Sequence, residues 1–171
     1  MDTIIRRETP EDHQAVYELV ENAFASAEHS DGNEQDLVTA LRKSGAFIPE
    51  LSLVAEYDGK IAGYLLFTKA RVGEQEVLAL APLAVSPDMQ RQGIGTALIR
   101  EGHRIARELG YSYSVVLGSE TYYPRMGYVP AEQFGIHVPD GMPRENFMAV
   151  RLNEHAGNLR GEMIYAAEFG I

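Results

Sequence analysis

Cysteine is absent from the 171-residue chain. Without a thiol, the protein cannot form a disulfide bond, bind zinc through thiolates or carry an acyl group on cysteine. Long apolar runs are also missing, because none approaches the ~20 residues that a membrane-spanning helix needs. The N-terminal sequence MDTIIRRETPEDH has no apolar signal-peptide core. These absences predict a cytoplasmic protein that does not enter a membrane.

Basic residues are also fewer than acidic residues. The 15 Lys and Arg are outnumbered by 25 Asp and Glu, which gives a formal net charge of −10 at pH 7. Such a surface repels nucleic-acid phosphates and favours cationic partners, although an acidic surface also serves solubility. Repeats and low-complexity segments are absent, and the five histidines show no metal-ligand spacing. We therefore expect a single domain, residues 1–171, with no nucleic-acid partner and no metal.

The most informative stretch of the chain is residues 75–110. An apolar run at 77–85 is followed by a short turn, the loop QRQGIG at 90–95 and a helical pattern that ends at Gly110. A helix start presents unpaired N–H groups and partial positive charge, and the preceding glycines let a ligand approach the backbone. The order strand, glycine loop, helix therefore predicts an anion site suited to phosphates.

Two common phosphate loops do not fit this stretch. A dinucleotide fingerprint needs a third glycine where Leu98 stands, and a P-loop needs Lys and Ser or Thr where Thr96 and Ala97 follow Gly95. These mismatches argue against a nucleotide binder of either class. On the glycines alone, a tight turn that binds nothing remains an equal alternative.

Hydrophobic periodicity and turn residues predict the other elements. The hairpin signal Asp58-Gly59 joins two predicted strands. The strand at 111–117 should lie parallel to the central strand, because a helix connects them. The tail, 153–171, fits either a strand or a packed extension. The predicted strands are 3–7, 51–57, 60–72, 75–85, 111–117 and a last one at 146–152, and the predicted helices run to about Phe24, over 34–43 and over 94–109.

Two motifs carry a resemblance to a known family. The loop Gln90-x-x-Gly93-x-Gly95 resembles the Q/R-x-x-G-x-G/A motif of the GNAT acetyltransferase superfamily. Downstream, YYPRMGY at 122–128 is similar to its F-Y-x-x-x-G-F segment. With the preceding LALAPLAV, the chain is most similar to the YhbS-like branch. The resemblance is specific over about residues 50–130 and weaker outside, including the C-terminal strand and extension at 146–171.

The resemblance implies a fold and a cofactor. The fold is α/β (α+β): a mixed central sheet with an antiparallel N-terminal meander, a splayed parallel central strand pair and flanking helices. Acetyl-CoA is the implied co-substrate. Its pantetheine arm would pair with the backbone of Leu83, Ala84 and Val85, and its pyrophosphate would meet Gln90, Arg91, Gln92, Gly93, Ile94, Gly95 and Thr96. One of Arg100, Arg104 and Arg107 could reach the 3′-phosphate.

The resemblance also implies the chemistry, direct attack of a primary amine on the thioester. Tyr123 matches the family tyrosine and would be the general acid, while Tyr122 would serve packing. Many relatives have an asparagine where Val116 stands, so Ser119 could only weakly replace its contact with CoA. The candidate general bases stay open: Glu34, Glu76, Glu120 or a water chain.

The sequence does not identify the acceptor beyond an amine, and the formal charge of −10 favours a cationic one. The protein would be a monomer or homodimer. A non-catalytic acyl-CoA-binding sensor on the same fold is the alternative function.

Overall fold

The computed structural model describes residues 3–25 and 32–171. Within those ranges, none of the helices is long and apolar enough to cross a membrane. The helices are α1 (His13–Phe24), α2 (Glu34–Arg42) and α3 (Ile94–Glu108). The strands are β1 (Thr3–Arg7), β2 (Phe47–Tyr57), β3 (Lys60–Val72), β4 (Gln75–Val85), β5 (Tyr113–Leu117), β6 (Val129–Pro130), β7 (Ile136–His137), β8 (Phe147–Arg151) and β9 (Gly161–Ile164).

One twisted sheet organises these elements in the order β1-β2-β3-β4-β5-β8-β6. The first four strands form an antiparallel meander, and β4 and β5 pair in parallel through the α3 crossover. This is the mixed sheet with flanking helices that the sequence predicts, including the antiparallel meander and the parallel central pair.

The two central strands separate soon after they meet. β4 and β5 pair only at Leu78 with Ser114 and at Ala79 with Val115. Beyond that point β4 continues along β3, while β5 follows β8. We call the gap between them the fork. It leaves the β5-facing backbone edge of residues 81–85 without a partner among the described strands.

A bulge lies at the start of the fork. Leu65 pairs with Leu83 and Phe67 with Leu80, so β4 has two residues, Ala81 and Pro82, opposite one residue of β3. Proline has no backbone N–H to donate to a ladder, so it fits where regular pairing stops.

The sheet is covered on both faces. α3 packs on one face with Leu98 and Ile99 fully buried. The opposite face carries the helix pair α1–α2 at one end and, at the other, the segments 131–142 and 156–159 with Met163 of β9. β3 crosses both regions, since Tyr64 belongs to the helix-pair core and Val72 to the C-terminal core.

A buried ion pair anchors α2 to the sheet. Arg42 donates to both carboxylate oxygens of Glu8, each at 2.9 Å, and the Ser52 hydroxyl donates to the same carboxylate at 2.6 Å. The Tyr64 hydroxyl lies 2.6 Å from that of Ser52. These contacts satisfy the charges inside the core and hold the helix pair in place.

Several element predictions need correction. β2 begins at Phe47, four residues before the predicted start, because residues 47–50 lack the expected alternation but lie beside β3. The strand at 147–151 is not the last, because β9 follows it. β9 pairs with β3 at Arg71 and Val72, on the stretch of β3 beyond its pairing with β2. Most of the segment between the first two predicted helices, residues 25–33, lies outside the described residues.

Candidate active site

An open pocket of about 500 Å³ lies between the start of α3, the end of β4 and the turn at 118–126, which we call the tyrosine turn. Its walls combine apolar side chains, a glycine loop, hydroxyls and two arginines. The lining residues are Leu83, Val85, Gln90, Arg91, Gly93, Ile94, Gly95, Thr96, Tyr122 and Arg125.

Most of the site residues expected from the sequence meet in this pocket. Four of the twelve do not line it: Ala84, Gln92, Ser119 and Tyr123. Ala84 points to the opposite face and packs against the helix pair, as strand alternation requires, so only its backbone could face a ligand. Gln92 is exposed. The Ser119 hydroxyl is engaged within its own turn, 2.9 Å from the Thr121 hydroxyl.

The glycine loop has the backbone of an anion site. Gly93 precedes the first helical residue with φ at 84°, in the left-handed region that favours glycine, and Arg91 also has a positive φ of 66°. A Cβ added at Gly93 would meet no described protein atom within 4 Å, so the space beside it is open. The first N–H groups of α3 face this space without helical partners.

Gly95 is required for a different reason. A Cβ at this position would lie 2.8 Å from the Tyr122 hydroxyl, closer than real Cβ contacts allow. The same hydroxyl lies 3.2 Å from Thr96 Oγ1. The tyrosine turn therefore touches the first turn of α3 across the pocket, and the missing side chain at Gly95 makes that approach possible.

Two arginines supply positive charge. Within the described residues, Arg91 and Arg125 form no ion pair or side-chain hydrogen bond, and both line the pocket. Arg125 is not among the site residues that the sequence predicts, because only the fold brings the tyrosine turn to α3.

None of Arg100, Arg104 and Arg107 lines the pocket, and a contact of one of them with the 3′-phosphate stays a prediction. Arg104 pairs with Glu101 and Glu108, while Arg107 donates to the Leu152 carbonyl. Two of the three guanidinium groups are thus occupied by neighbours on or behind α3.

Tyr123 lies deeper than the pocket wall. Its half-buried ring covers Gly118, the first residue after β5, where no Cβ would fit. Its edge meets Tyr122 and Tyr128 at centroid distances of 5.1 and 5.6 Å. Burial, with a smaller contribution from Tyr122, raises the pKa of the Tyr123 phenol well above its ordinary value. The phenol is therefore protonated at neutral pH.

Tyr122, expected only to pack, contributes to the pocket as well. Its ring packs against the α3-side core while its hydroxyl lines the pocket. Its place beside Tyr123 is the sequence signal for this role, since two adjacent residues in a tight turn can reach the same cavity.

The candidate bases occupy three different places. Glu76 pairs with Arg71 in the ladder near the start of β4, at the end of the strand away from the pocket. Glu120 accepts a hydrogen bond from Asn146 Nδ2 at 2.6 Å. Glu34 begins α2. In the described ranges, no group of three or more His, Asp or Glu could hold a metal ion.

Comparison with known proteins places this site in a family. The model of the acetyltransferase (GNAT) family matches residues 13–128. The uncharacterized N-acetyltransferase YhbS of Escherichia coli K12 is 34% identical over 91% of this chain and 90% of its own length. The uncharacterized N-acetyltransferase YjhQ of the same organism is 43% identical, with the match spanning 66% of this chain and 65% of that protein.

Solved structures share the whole fold. A GNAT family acetyltransferase from Brucella melitensis in complex with acetyl-CoA has a TM-score of 0.83 and 32% identity, covering 98% of both chains. The YhbS structure from Escherichia coli in complex with CoA has a TM-score of 0.88 and 30% identity, covering 99% of this chain and 92% of that one. With its forked sheet, glycine loop and matching motifs, this chain belongs to the acetyltransferase (GNAT) family, in its YhbS-like branch.

Proposed function

We propose that the protein is an acetyl-CoA-dependent N-acetyltransferase that moves an acetyl group to a primary amine by direct attack. The observation that carries this proposal is one continuous surface. It runs from a helix start flanked by Arg91 and Arg125 to the β4 edge that faces the fork. The relatives solved with acetyl-CoA or CoA support the same ligand here.

The pocket suits the successive parts of CoA. The pyrophosphate would receive N–H groups from residues 93–96 and charge from Arg91 and Arg125. The pantetheine amides would pair with the free edge of residues 81–85, as an added strand does. Gln90 Nε2 already donates to the Val85 carbonyl at 3.3 Å, which tethers the loop to the end of β4.

The fork would hold the thioester, because the pantetheine arm runs along β4 towards the bulge. Tyr123, packed on Gly118 at the end of β5, would then donate a hydrogen bond to the departing sulfur. A fully protonated phenol is a reliable donor. Its raised pKa makes complete proton transfer to a thiolate unfavourable, so stabilisation of the developing charge is the larger contribution.

The amine must lose a proton, because amines with a pKa near 10 are mostly charged at neutral pH. Glu76 is placed too far along β4 for this role, and Asn146 already engages Glu120. Glu34 and a water chain remain the candidates. Residues 1–171 would act as one domain, because Ala166 and Phe169 of the tail pack against the helix-pair core.

A CoA-release assay against amines, amino acids, aminoglycosides and peptides tests the proposal. We expect acetyl-CoA-dependent release with at least one primary amine and a product heavier by one acetyl group. Tight acetyl-CoA binding with no release across the panel would contradict it and favour the non-catalytic acyl-CoA sensor.

A further inference from the structure

At its start, the tyrosine turn is attached to the sheet through β8. After Val115, β5 no longer pairs with β4 and is held only by β8 among the described strands, through Val116 with Met148 and Leu117 with Phe147. The next link is a backbone hydrogen bond from the Gly118 N–H to the Asn146 carbonyl at 2.9 Å. Asn146 therefore lies where the ladder ends and the turn begins.

The side chain of Asn146 adds two further bonds. Its Nδ2 donates to the Gly118 carbonyl at 3.0 Å and to Glu120 Oε2 at 2.6 Å. Residue 146 thus binds the N–H and the C=O of Gly118 and also the side chain two residues later. A carboxamide fits this place because it has two N–H donors for two acceptors.

Both tyrosines depend on this short segment. The Ser119 carbonyl accepts the N–H groups of Tyr122 and Tyr123 at 3.3 and 3.2 Å. The Tyr123 ring lies directly on Gly118. A displacement of residues 118–120 would therefore move both phenols relative to the fork.

We propose that Asn146 is a positioning residue for the reaction, which holds Gly118 and Glu120 so that the Tyr123 phenol stays at the fork. The inference rests on the proposed acetyl transfer. It also accounts for Glu120, which serves as an anchor for the Asn146 amide rather than as the general base.

Asn146→Asp is the sharpest variant, because it keeps the shape but replaces both donors with acceptors. The new carboxylate would face the Gly118 carbonyl and the Glu120 carboxylate and repel both. A displacement of about 1 Å can lower a rate about 100-fold, so we expect kcat to fall at least tenfold. The dissociation constant for acetyl-CoA should stay within about threefold, because Asn146 does not line the pocket.

The double variant Asn146→Asp with Glu120→Gln exchanges the acid and the amide. The amide introduced at position 120 can donate to the carboxylate introduced at position 146, which restores one of the two lost side-chain bonds with reversed polarity. We expect the kcat of the double variant to exceed that of Asn146→Asp at least threefold, a coupling that independent sites would not show. Asn158→Asp is the matched control, since Asn158 is exposed and contacts Arg151.

Turnover would be measured as CoA release with acetyl-CoA and spermidine, tyramine or L-lysine, beside thermal melting of each variant. A wild-type kcat in Asn146→Asp would overturn the inference. So would a loss of kcat that tracks a lower melting temperature and is not relieved by Glu120→Gln.

Failure of the proposed function would look different, because the wild-type protein itself would release no CoA with these or the wider panel of amines. Crystals with CoA would then decide the positioning role. A Tyr123 hydroxyl displaced by about 1 Å or more from the CoA sulfur in Asn146→Asp would support it. An unmoved hydroxyl would overturn it.

Discussion

His103 Nε2 lies 2.9 Å from the hydroxyl of Tyr128, between α3 and the sheet and away from the pocket. The Tyr128 hydroxyl is also 2.8 Å from that of Ser114, so α3, the end of the YYPRMGY segment and β5 meet at one buried polar cluster. Burial, and to a lesser degree the charge of Arg107, lowers the pKa of His103 to about 4. The imidazole is therefore neutral in the folded protein.

This buried histidine predicts acid sensitivity. In the unfolded chain His103 takes up a proton near pH 6.5, but the folded protein resists protonation until about pH 4. Its stabilising contribution is complete above pH 6.5 and is lost as the pH falls towards 4, amounting to roughly 3 kcal/mol at most. Between pH 6.5 and 4, we expect the free energy of unfolding of His103→Gln to vary less with pH than that of the wild type. The variant His155→Gln, changed at an exposed histidine, should show the same pH dependence as the wild type. Equal slopes of the free energy of unfolding against pH in the wild type and both variants would refute the prediction.

Gly93→Val should weaken acetyl-CoA binding at least tenfold, about 1.4 kcal/mol. The side chain would fill the open space beside the helix start, where the proposed pyrophosphate lies. Because φ is positive, the change also strains the backbone. Gly141→Val is the matched control, with φ at 86° and equally open space outside the pocket. Calorimetry should show a loss of affinity for Gly93→Val alone; equal affinities in two folded variants would contradict the assignment.

Arg125→Gln should lower acetyl-CoA affinity about tenfold and reduce its dependence on salt, because one charge-assisted contact is lost. Arg100→Gln tests the alternative contact from α3, since Arg100 lies outside the pocket. The Arg100→Gln variant should bind acetyl-CoA with wild-type affinity at both about 50 and about 300 mM salt, between which the Debye length falls from about 14 to about 6 Å. A larger loss of acetyl-CoA affinity in Arg100→Gln than in Arg125→Gln would assign the phosphate contact to α3.

Tyr123→Phe should reduce kcat by about 10²–10³ while acetyl-CoA binding changes little, since loss of one hydrogen-bond donor to developing charge has that magnitude. The ring and its packing on Gly118 are preserved. Tyr122→Phe removes the contact with Thr96 and should affect acetyl-CoA binding more than kcat. If Tyr122→Phe loses turnover and Tyr123→Phe retains it within about threefold, the donor is Tyr122.

A covalent acetyl-enzyme should not form. Cysteine is absent, and the proposed direct attack needs no acyl-enzyme. Mass spectrometry after incubation with acetyl-CoA alone should show no stoichiometric adduct. An acetylated species that transfers its group when an amine is added would disprove direct attack.

Local signals were enough for much of the fold. The glycine loop, the Asp58-Gly59 hairpin and the apolar run of β4 each combine turn chemistry with periodicity, and β3 and β4 begin and end as predicted. The tail at 153–171 stays ambiguous in the sequence because the pairing of β9 with β3 depends on where β2 begins, which no local pattern encodes. Tertiary context also extended β2 back to Phe47.

The site likewise has one part that a local motif describes and another that depends on the fold. Residues 90–96 are contiguous, so a motif can describe them, and all but Gln92 line the pocket. Arg125 and Tyr122 come from a distant turn whose approach to α3 depends on the fork and on the missing side chain at Gly95. Asn146 is farther still, and it acts on the turn through three hydrogen bonds rather than through any motif.

The dependence of β5 on β8 affects how the protein can be shortened. The family match ends at residue 128, whereas the strand that supports the far half of β5 lies at 147–151. A fragment trimmed to the match would leave β5 with two paired positions on β4 and an unprotected edge, which favours aggregation. Expression of a minimal fragment, or its fusion to another protein, should therefore retain the chain through β8 and β9.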